Sequence, residues 1–127
     1  MDNLNKFVSY FDFFIIEDVV LHEASGWTIQ RTKAYKKGEK KYRNDKRVMA
    51  GIKAIVKFVT SQSQQPRITD YPPEFNVHAI SVDKRFGEGV LWSHLKGQKI
   101  GLLFRPDYEN DTITMIHLGT HQDLGWR

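Results

Sequence analysis

The feature that most constrains the fold is an amphipathic stretch at residues 46–59, near the middle of the chain. Apolar residues recur there every three or four positions, which places them on one face of an α-helix. Either Asn44 or Asp45 can cap the start of this helix. Such a face packs against a hydrophobic core, so other segments must supply the opposite side of that core. The face consists of Val48, Ile52, Ile55, Val56 and Val59.

Strand-like segments on both sides of this helix can supply the partner surface. A β-branched, alternating segment at 27–31 precedes a basic helix at 32–42, and the chain after the turn at 71–73 is mostly β in pattern. The order β-α-α-β-β-β(-β) predicts an α+β fold, with a small antiparallel sheet and two helices packed on one face. Trp27 and Trp92 are expected in the core. The later strands are predicted at 77–82, 90–95, 100–104 and 112–118.

Composition excludes several classes of protein. A chain of 127 residues is long enough for one hydrophobic core. It has no cysteine, so disulfides and thiolate ligands are impossible. The histidine spacings match no standard metal motif, and we expect neither a metal nor another cofactor. No stretch approaches the roughly 18 apolar residues of a membrane span, and the start lacks the basic opening of a signal peptide. We therefore expect a cytoplasmic protein without membrane contact.

Charge is distributed unevenly along the chain. Residues 1–30 have a net charge of −4, whereas residues 31–57 hold eleven Lys and Arg against two acidic residues, a net of +9. A concentrated basic band suits a polyanionic partner, although charge alone leaves a simply solvated helix surface equally open. We divide the chain into an acidic, aromatic N-terminal extension at 1–24 and a main domain at 25–127. The extension has helix-like spacing, with a short strand at 13–16 as the alternative, and we hypothesise that it packs over the sheet or the basic helices.

Four of the five histidines lie in the last fifty residues, at His78, His94, His117 and His121. Histidine is the side chain whose ordinary pKa lets it give and take protons near neutrality. Several histidines beside basic residues would suit acid–base chemistry on a phosphodiester. A lone histidine on a sheet is usually structural, so function is expected only where several come together. His22 lies outside this group and is taken as incidental.

Four short motifs follow one another in the second half of the chain. They are Tyr-Pro-Pro-Glu-Phe-Asn-Val-His at 71–78, Trp-Ser-His-Leu at 92–95, Leu-Leu-Phe-Arg at 102–105 and Leu-Gly-Thr-His-Gln-Asp-Leu at 118–124. In this order, behind two basic helices, they resemble the RelE/ParE superfamily of bacterial type II toxins. Within it, they are similar to the YafQ-like ribosome-dependent mRNA endonucleases. The resemblance covers residues 27–126.

The resemblance implies a toxin that cleaves mRNA on the ribosome, with the RNA 2′-OH as nucleophile and histidines as general acid and base. It implies that His78, His94 and His121 are catalytic, without showing which is the acid. It also implies mRNA, rRNA and an acidic antitoxin as partners. We hypothesise separately that the extension at 1–24 partly replaces the antitoxin's contacts, so that deleting it would raise activity. The residues expected to bind phosphate or RNA are Lys33, Lys36, Lys37, Lys40, Lys96, Lys99, Arg105, His117 and Trp126.

The chain departs from this family pattern in three places. Residues 96–99, Lys-Gly-Gln-Lys, stand where the family often has an acidic residue and a Trp. His117 stands in place of an arginine and, when protonated, could stabilise the transition state. Gly125 takes the place of a terminal Phe, beside Trp126, which could stack on a base. Two other interpretations stay open: a ParE-like gyrase inhibitor that cuts nothing, and a catalytically silent RNA-binding module.

Overall fold

The structure, a computed structural model, describes residues 10–22, 26–80, 83–96 and 99–126. A 3₁₀ turn at Tyr10–Phe13 opens this part of the chain, and others lie at Ile68–Asp70, Pro73–Phe75 and Gln122–Leu124. The helices and strands are β1 (Ile16–His22), β2 (Trp27–Thr32), α1 (Lys33–Tyr42), α2 (Lys46–Ser61), β3 (Val77–Ala79), β4 (Leu91–Lys96), β5 (Ile100–Asp107) and β6 (Thr112–Thr120). Within the described residues, no helix is long and apolar enough to cross a membrane.

Both predicted helices form, and each has a side-chain cap. Asp45 caps α2, where its carboxylate accepts hydrogen bonds from the amides of Arg47 (3.1 Å) and Val48 (3.2 Å). Thr32 caps α1, where its hydroxyl accepts from the Tyr35 amide at 3.0 Å. These bonds satisfy amides that the first turn of a helix leaves without partners. The predicted apolar face of α2 is buried.

The strands form one sheet in the order β1-β2-β6-β5-β4-β3. The predicted α+β fold with two helices is confirmed, but the sheet is mixed rather than purely antiparallel. β2 runs parallel to β6, with Ile29 opposite Ile113, while the other neighbouring pairs are antiparallel. Both helices and three strands separate β2 from β6 in sequence, so no hairpin fixes their relative direction. The strand predicted at 77–82 is shorter and ends at Ala79.

Alternation along the strands divides the buried side chains between two faces of the sheet. On one face, α2 packs over Leu102 and Phe104. On the opposite face, here called the second face, Trp92 and Leu103 belong to a separate cluster. The first 3₁₀ turn, the loop before β4 and the chain after β6 close this cluster with Phe13, Phe86 and Leu124. Segments that are far apart in sequence therefore meet on the second face.

The described part of the N-terminal extension, residues 10–22, packs on the sheet and on α1, as hypothesised. β1 is the edge strand beside β2. The helix-like alternative does not form in residues 10–22, and the alternative strand at 13–16 is wrong, because a 3₁₀ turn occupies Tyr10–Phe13 and the strand runs from Ile16 to His22. Asp12 is buried (5% exposed), with its carboxylate 2.7 Å from the Lys37 ammonium. Asp18 pairs with Lys36 at 3.6 Å. The extension thus neutralises part of the charge of α1; its other residues lie outside the described ranges.

Candidate active site

Three histidines from separate segments meet on the second face of the sheet. His78 lies on β3, His94 on β4, and His121 directly after β6. The ring centroids of His78 and His94 are 5.4 Å apart, and those of His94 and His121 are 5.9 Å apart. His78 is exposed and the other two are half-buried, so this histidine group is open to solvent. The structure therefore brings together the three histidines expected to be catalytic.

Trp92 forms the floor of the histidine group. It is buried (1% exposed), as predicted, and its ring centroid lies 4.9 Å from that of His121 and 6.2 Å from that of His94. The indole crosses the sheet over Gly101 of β5, where a Cβ would overlap the ring. Glycine at this position therefore allows His94 and His121 to contact the same indole.

The closing Gly-Thr-His-x-Asp segment forms a tight turn that holds His121. The Thr120 amide donates to Asp123 Oδ2 at 2.9 Å, and the Asp123 amide donates to Thr120 Oγ1 at 3.3 Å. A Cβ at Gly119 would overlap the Asp123 carboxylate. The Trp126 amide donates to the His121 carbonyl at 2.9 Å. The residues around His121 thus fix the backbone that carries its ring.

Trp126 forms a wall beside His121, with ring centroids 5.3 Å apart. Its indole N–H donates to Asp83 Oδ2 at 2.8 Å. Arg85 donates to the same oxygen at 2.6 Å and to the Leu124 carbonyl at 2.6 Å. Hydrogen bonds from Arg85, and then from Trp126, lower the pKa of Asp83 to about 2. The carboxylate is therefore ionised at neutral pH and anchors the wall.

His117 does not join the other three histidines. Its side chain is 2% exposed and packs against Phe13, with ring centroids 5.5 Å apart. Its Nε2 lies 3.6 Å from Asp123 Oδ2, close enough for an electrostatic pair. The His117 imidazole, and then the Thr120 amide, lower the pKa of Asp123 to about 2. A side chain enclosed in this way does not reach a bound phosphate, so the phosphate-binding role expected of His117 is corrected to one inside the protein.

The four α1 lysines expected to bind RNA line an open cavity of about 620 Å³. The carboxylate of Asp12 pairs with two of them, at 2.7 and 3.9 Å, and that of Asp18 pairs with a third, at 3.6 Å. The cavity therefore offers a phosphate less uncompensated charge than the sequence indicates. The four lysines are Lys33, Lys36, Lys37 and Lys40.

The other expected phosphate ligands lie at different distances from the histidine group. Arg105 is exposed, but it stands four residues beyond Gly101 on β5, which is about 13 Å along a strand. It is therefore not part of the group. Lys99 is exposed just before β5, at the end of the sheet where β6 leads into the turn that holds His121. The expectation for the Lys96 side chain falls outside what the structure describes.

The histidine group offers proton transfer beside aromatic surfaces. Imidazoles can act as acid or base near neutral pH, and Trp126 presents a face on which a nucleobase could stack. Among residues 10–22, 26–80, 83–96 and 99–126, no group of three or more His, Cys, Asp or Glu is arranged to hold a metal ion. The three imidazoles, in successive ring contact, themselves favour general acid–base chemistry.

Sequence reasoning missed three residues that shape this site: Asp123, Asp83 and Gly101. The spacing of Thr120 and Asp123 is that of a capping box, a local signal that could have identified the turn. No local signal marks the other two, because Asp83 acts on the chain after β6 and Gly101 acts on an indole from β4.

Comparison with known proteins identifies the fold. No protein-family model matches this sequence, and no curated protein matches it significantly. A mutant of YafQ from E. coli is 14% identical with a TM-score of 0.55, over 76% of this chain and 94% of that one. This chain has the YafQ fold. A metal-bound toxin from Helicobacter pylori is 21% identical with a TM-score of 0.56, over 76% and 96% of the two chains.

A third solved structure, the E. coli DinJ–YafQ toxin–antitoxin complex, is 16% identical with a TM-score of 0.55, over 76% of this chain and 93% of that one. The YafQ-like fold implied by the four motifs is therefore confirmed. The TM-scores of 0.55 and 0.56 establish a shared fold. At identities of 14–21%, a shared fold does not by itself establish a shared activity.

Proposed function

We propose that this protein is the toxin of a type II toxin–antitoxin pair and cleaves mRNA on the ribosome. The observation that carries the proposal is the histidine group, in which His78, His94 and His121 lie with successive ring centroids 5.4 and 5.9 Å apart. Its place on the fold of the YafQ toxin supports the same conclusion. A surface cluster of three histidines, floored and walled by tryptophans, suits proton transfer to and from RNA.

The RNA substrate supplies its own nucleophile. One neutral imidazole removes the proton of a ribose 2′-OH, and the oxygen attacks the adjacent phosphorus. A second, protonated imidazole donates a proton to the departing 5′-oxygen. The P–O2′ bond forms as the P–O5′ bond breaks, which gives a 2′,3′-cyclic phosphate and a 5′-OH. Each positioned acid or base contributes about 10²–10⁴-fold, and the reaction requires no metal ion.

The order of the three rings suggests how they share these tasks. His94 contacts both His78 and His121, whereas the described residues show no ring contact between the outer two. A phosphate bound at His94 would therefore have an imidazole on either side. This arrangement suits an in-line reaction, in which the base and the acid act on opposite sides of the phosphorus.

Binding of the RNA is assigned to groups around this centre. Trp126 is proposed to stack on a nucleobase, a contact of about 1–3 kcal/mol in other proteins. Lys99 is proposed to contact a phosphate near the end of β6. The basic band, with Lys40 on α1, is proposed to dock on rRNA, which makes the interaction weaker as salt rises.

An acidic antitoxin is the proposed protein partner. YafQ occurs with DinJ in a toxin–antitoxin complex, and the basic residues of α1 and α2 suit an acidic chain. We propose that the catalytic residues lie in the main domain, residues 25–127, and that the protein acts in the cytoplasm, where ribosomes are, without a membrane partner.

The test is to incubate the purified protein with a defined mRNA, with and without programmed ribosomes, and to map 5′ ends by primer extension. A triple alanine variant at His78, His94 and His121 runs in parallel. His22→Ala is the matched control, because His22 lies on β1, away from the group. Cleavage that needs ribosomes and disappears in the triple variant, but not in His22→Ala, is the expected result.

Other outcomes point elsewhere. Cleavage of free RNA would support the proposed chemistry but show that the ribosome is not required. Salt-sensitive RNA binding without cleavage would identify a silent binding module. Inhibition of DNA gyrase without any RNA cleavage would identify a ParE-like inhibitor.

A further inference from the structure

Phe13 of the N-terminal extension belongs to the cluster on the second face. It is 3% exposed, and its ring centroid lies 5.5 Å from that of His117 and 5.3 Å from that of Phe86. Burying such a side chain contributes about 1.5–3 kcal/mol. The ion pair between Asp12 and Lys37 holds the same turn against α1. Phe13 is therefore firmly seated against the face that carries the active site.

His117 connects Phe13 to the turn that holds His121. Its ring lies between Phe13 and Asp123, with Nε2 3.6 Å from Asp123 Oδ2. The same carboxylate oxygen accepts the Thr120 amide at 2.9 Å. Thr120 immediately precedes His121, so a shift of the carboxylate moves the backbone that carries the catalytic ring.

Phe86 provides a second connection from Phe13 to this turn. The Arg85 guanidinium lies over the Phe86 ring, 5.0 Å from its centroid. Arg85 also donates to the Leu124 carbonyl at 2.6 Å, within the segment that leads to Trp126. Loss of the Phe13 ring would therefore loosen the turn from both sides.

We infer that Phe13 is a positioning residue for His121, and that the extension completes the active site instead of standing in for an inhibitor. The inference rests on the proposed function for its catalytic readout. A segment that replaced antitoxin contacts would inhibit cleavage, so disrupting it would raise activity. The inference predicts the opposite, because disrupting the Phe13 contact lowers activity. The extension is then part of the working domain, and the boundary at residue 24 does not separate two independent units.

The test is Phe13→Leu, which keeps an apolar side chain but removes the ring contacts to His117 and Phe86. Phe11→Leu is the matched control, because Phe11 lies in the same turn and is 70% exposed. The measurements are kcat and KM for RNA cleavage, and the NMR signals of the His121 ring and the Trp126 indole N–H. Each variant is also made in an Asp123→Asn background.

The expected result is a kcat about 10- to 100-fold lower for Phe13→Leu, with KM changed by less than about twofold, as for a misplaced catalytic group. The His121 and Trp126 signals shift in this variant and not in Phe11→Leu. In the Asp123→Asn background, Phe13→Leu lowers kcat by a smaller factor than it does in the wild type, because one of its two connections to the turn is already broken.

A purely structural role would give a different pattern. A lower urea midpoint with unchanged kcat and unchanged His121 signals would overturn the inference, as would effects of Phe13→Leu and Asp123→Asn that multiply. If Phe13→Leu does not fold, Phe13→Met is measured in the same way. If the wild type cleaves no RNA, the proposed function fails, and the NMR signals alone decide whether Phe13 positions His121.

Discussion

Replacing Gly101 by alanine tests whether the floor of the histidine group depends on a missing side chain. The new Cβ would overlap the Trp92 ring and approach the Ser93 carbonyl oxygen to 2.8 Å. Gly101 does not have a positive φ, so the cost comes from packing. Overpacking a core costs about 1–3 kcal/mol, which the smaller unfolded-state entropy of alanine offsets by about 0.4–1 kcal/mol. We expect the free energy of unfolding to fall by about 1–2 kcal/mol.

Expressed as a free energy, the loss of cleavage rate in Gly101→Ala should be larger than the loss of unfolding free energy. Trp92 escapes the overlap only by moving relative to His94 and His121, whose rings it contacts. Misplacement of catalytic groups by about 1 Å can cost about 10²-fold in rate. Urea unfolding followed by tryptophan fluorescence measures the stability, and cleavage of a defined mRNA at saturating concentration measures the rate.

Trp92→Phe is the matched control, because a smaller ring leaves room for the Cβ at position 101. Alone, Trp92→Phe should also destabilise the protein, since it leaves a cavity over the glycine. Combined with Gly101→Ala, the total loss should be smaller than the sum of the two by about 1 kcal/mol or more. Additive losses would refute the inferred packing, and so would a Gly101→Ala variant as stable and active as the wild type.

Three further predictions concern other parts of the molecule. Asp83→Asn should lower the free energy of unfolding by about 1–2 kcal/mol at pH 7. Because the pKa of Asp83 is lowered to about 2 in the folded state, its contribution is complete above the ordinary carboxyl pKa. In urea titrations the difference from the wild type should therefore vanish as the pH falls from about 4 to about 2, and a difference that persists at the lower pH would contradict the assignment. Lys40→Gln should reduce the slope of log RNA affinity against log salt by about 0.7 in filter-binding assays. Lys37→Gln should leave that slope nearly unchanged because Asp12 already binds the ammonium; equal slopes for the two variants would count against this distinction. Asp45→Ala should cost about 1 kcal/mol through loss of the α2 cap, seen as a lower melting temperature with unchanged cleavage, and a cleavage defect would show that α2 takes part in catalysis.

The helices could be predicted because their signals are local. The cap at Asp45 and the apolar face of α2 lie within one stretch of sequence. The strand β1 could not be predicted as readily, because its apolar residues are largely exposed and show no alternation of burial; Val19 is 57% and Leu21 is 58% exposed. The parallel pairing of β2 with β6 depends on the whole sheet, and no local pattern records it.

The membership of the histidine group could be predicted, but its geometry could not. Three of the four motifs placed His78, His94 and His121 in order along the chain, and the meeting of the three rings depends on strand pairing and on Gly101 in β5. His117 shows the limit of spacing arguments. It lies four positions before His121, yet a residue from the N-terminal extension covers it, and β5 and β6 shift register beside it.

The parallel pairing of β2 with β6 sets the order of events as the chain emerges from the ribosome. Thr28 pairs with Thr112, so the middle of the sheet cannot form until the segment Thr112–Thr120 has been synthesised. Pairing over such a separation is slow, because loop closure is unfavourable until the contacts form. His121 follows β6 directly, so its ring joins His94 in the last stage of folding. A newly made chain therefore passes through an interval in which the histidine group is not yet assembled.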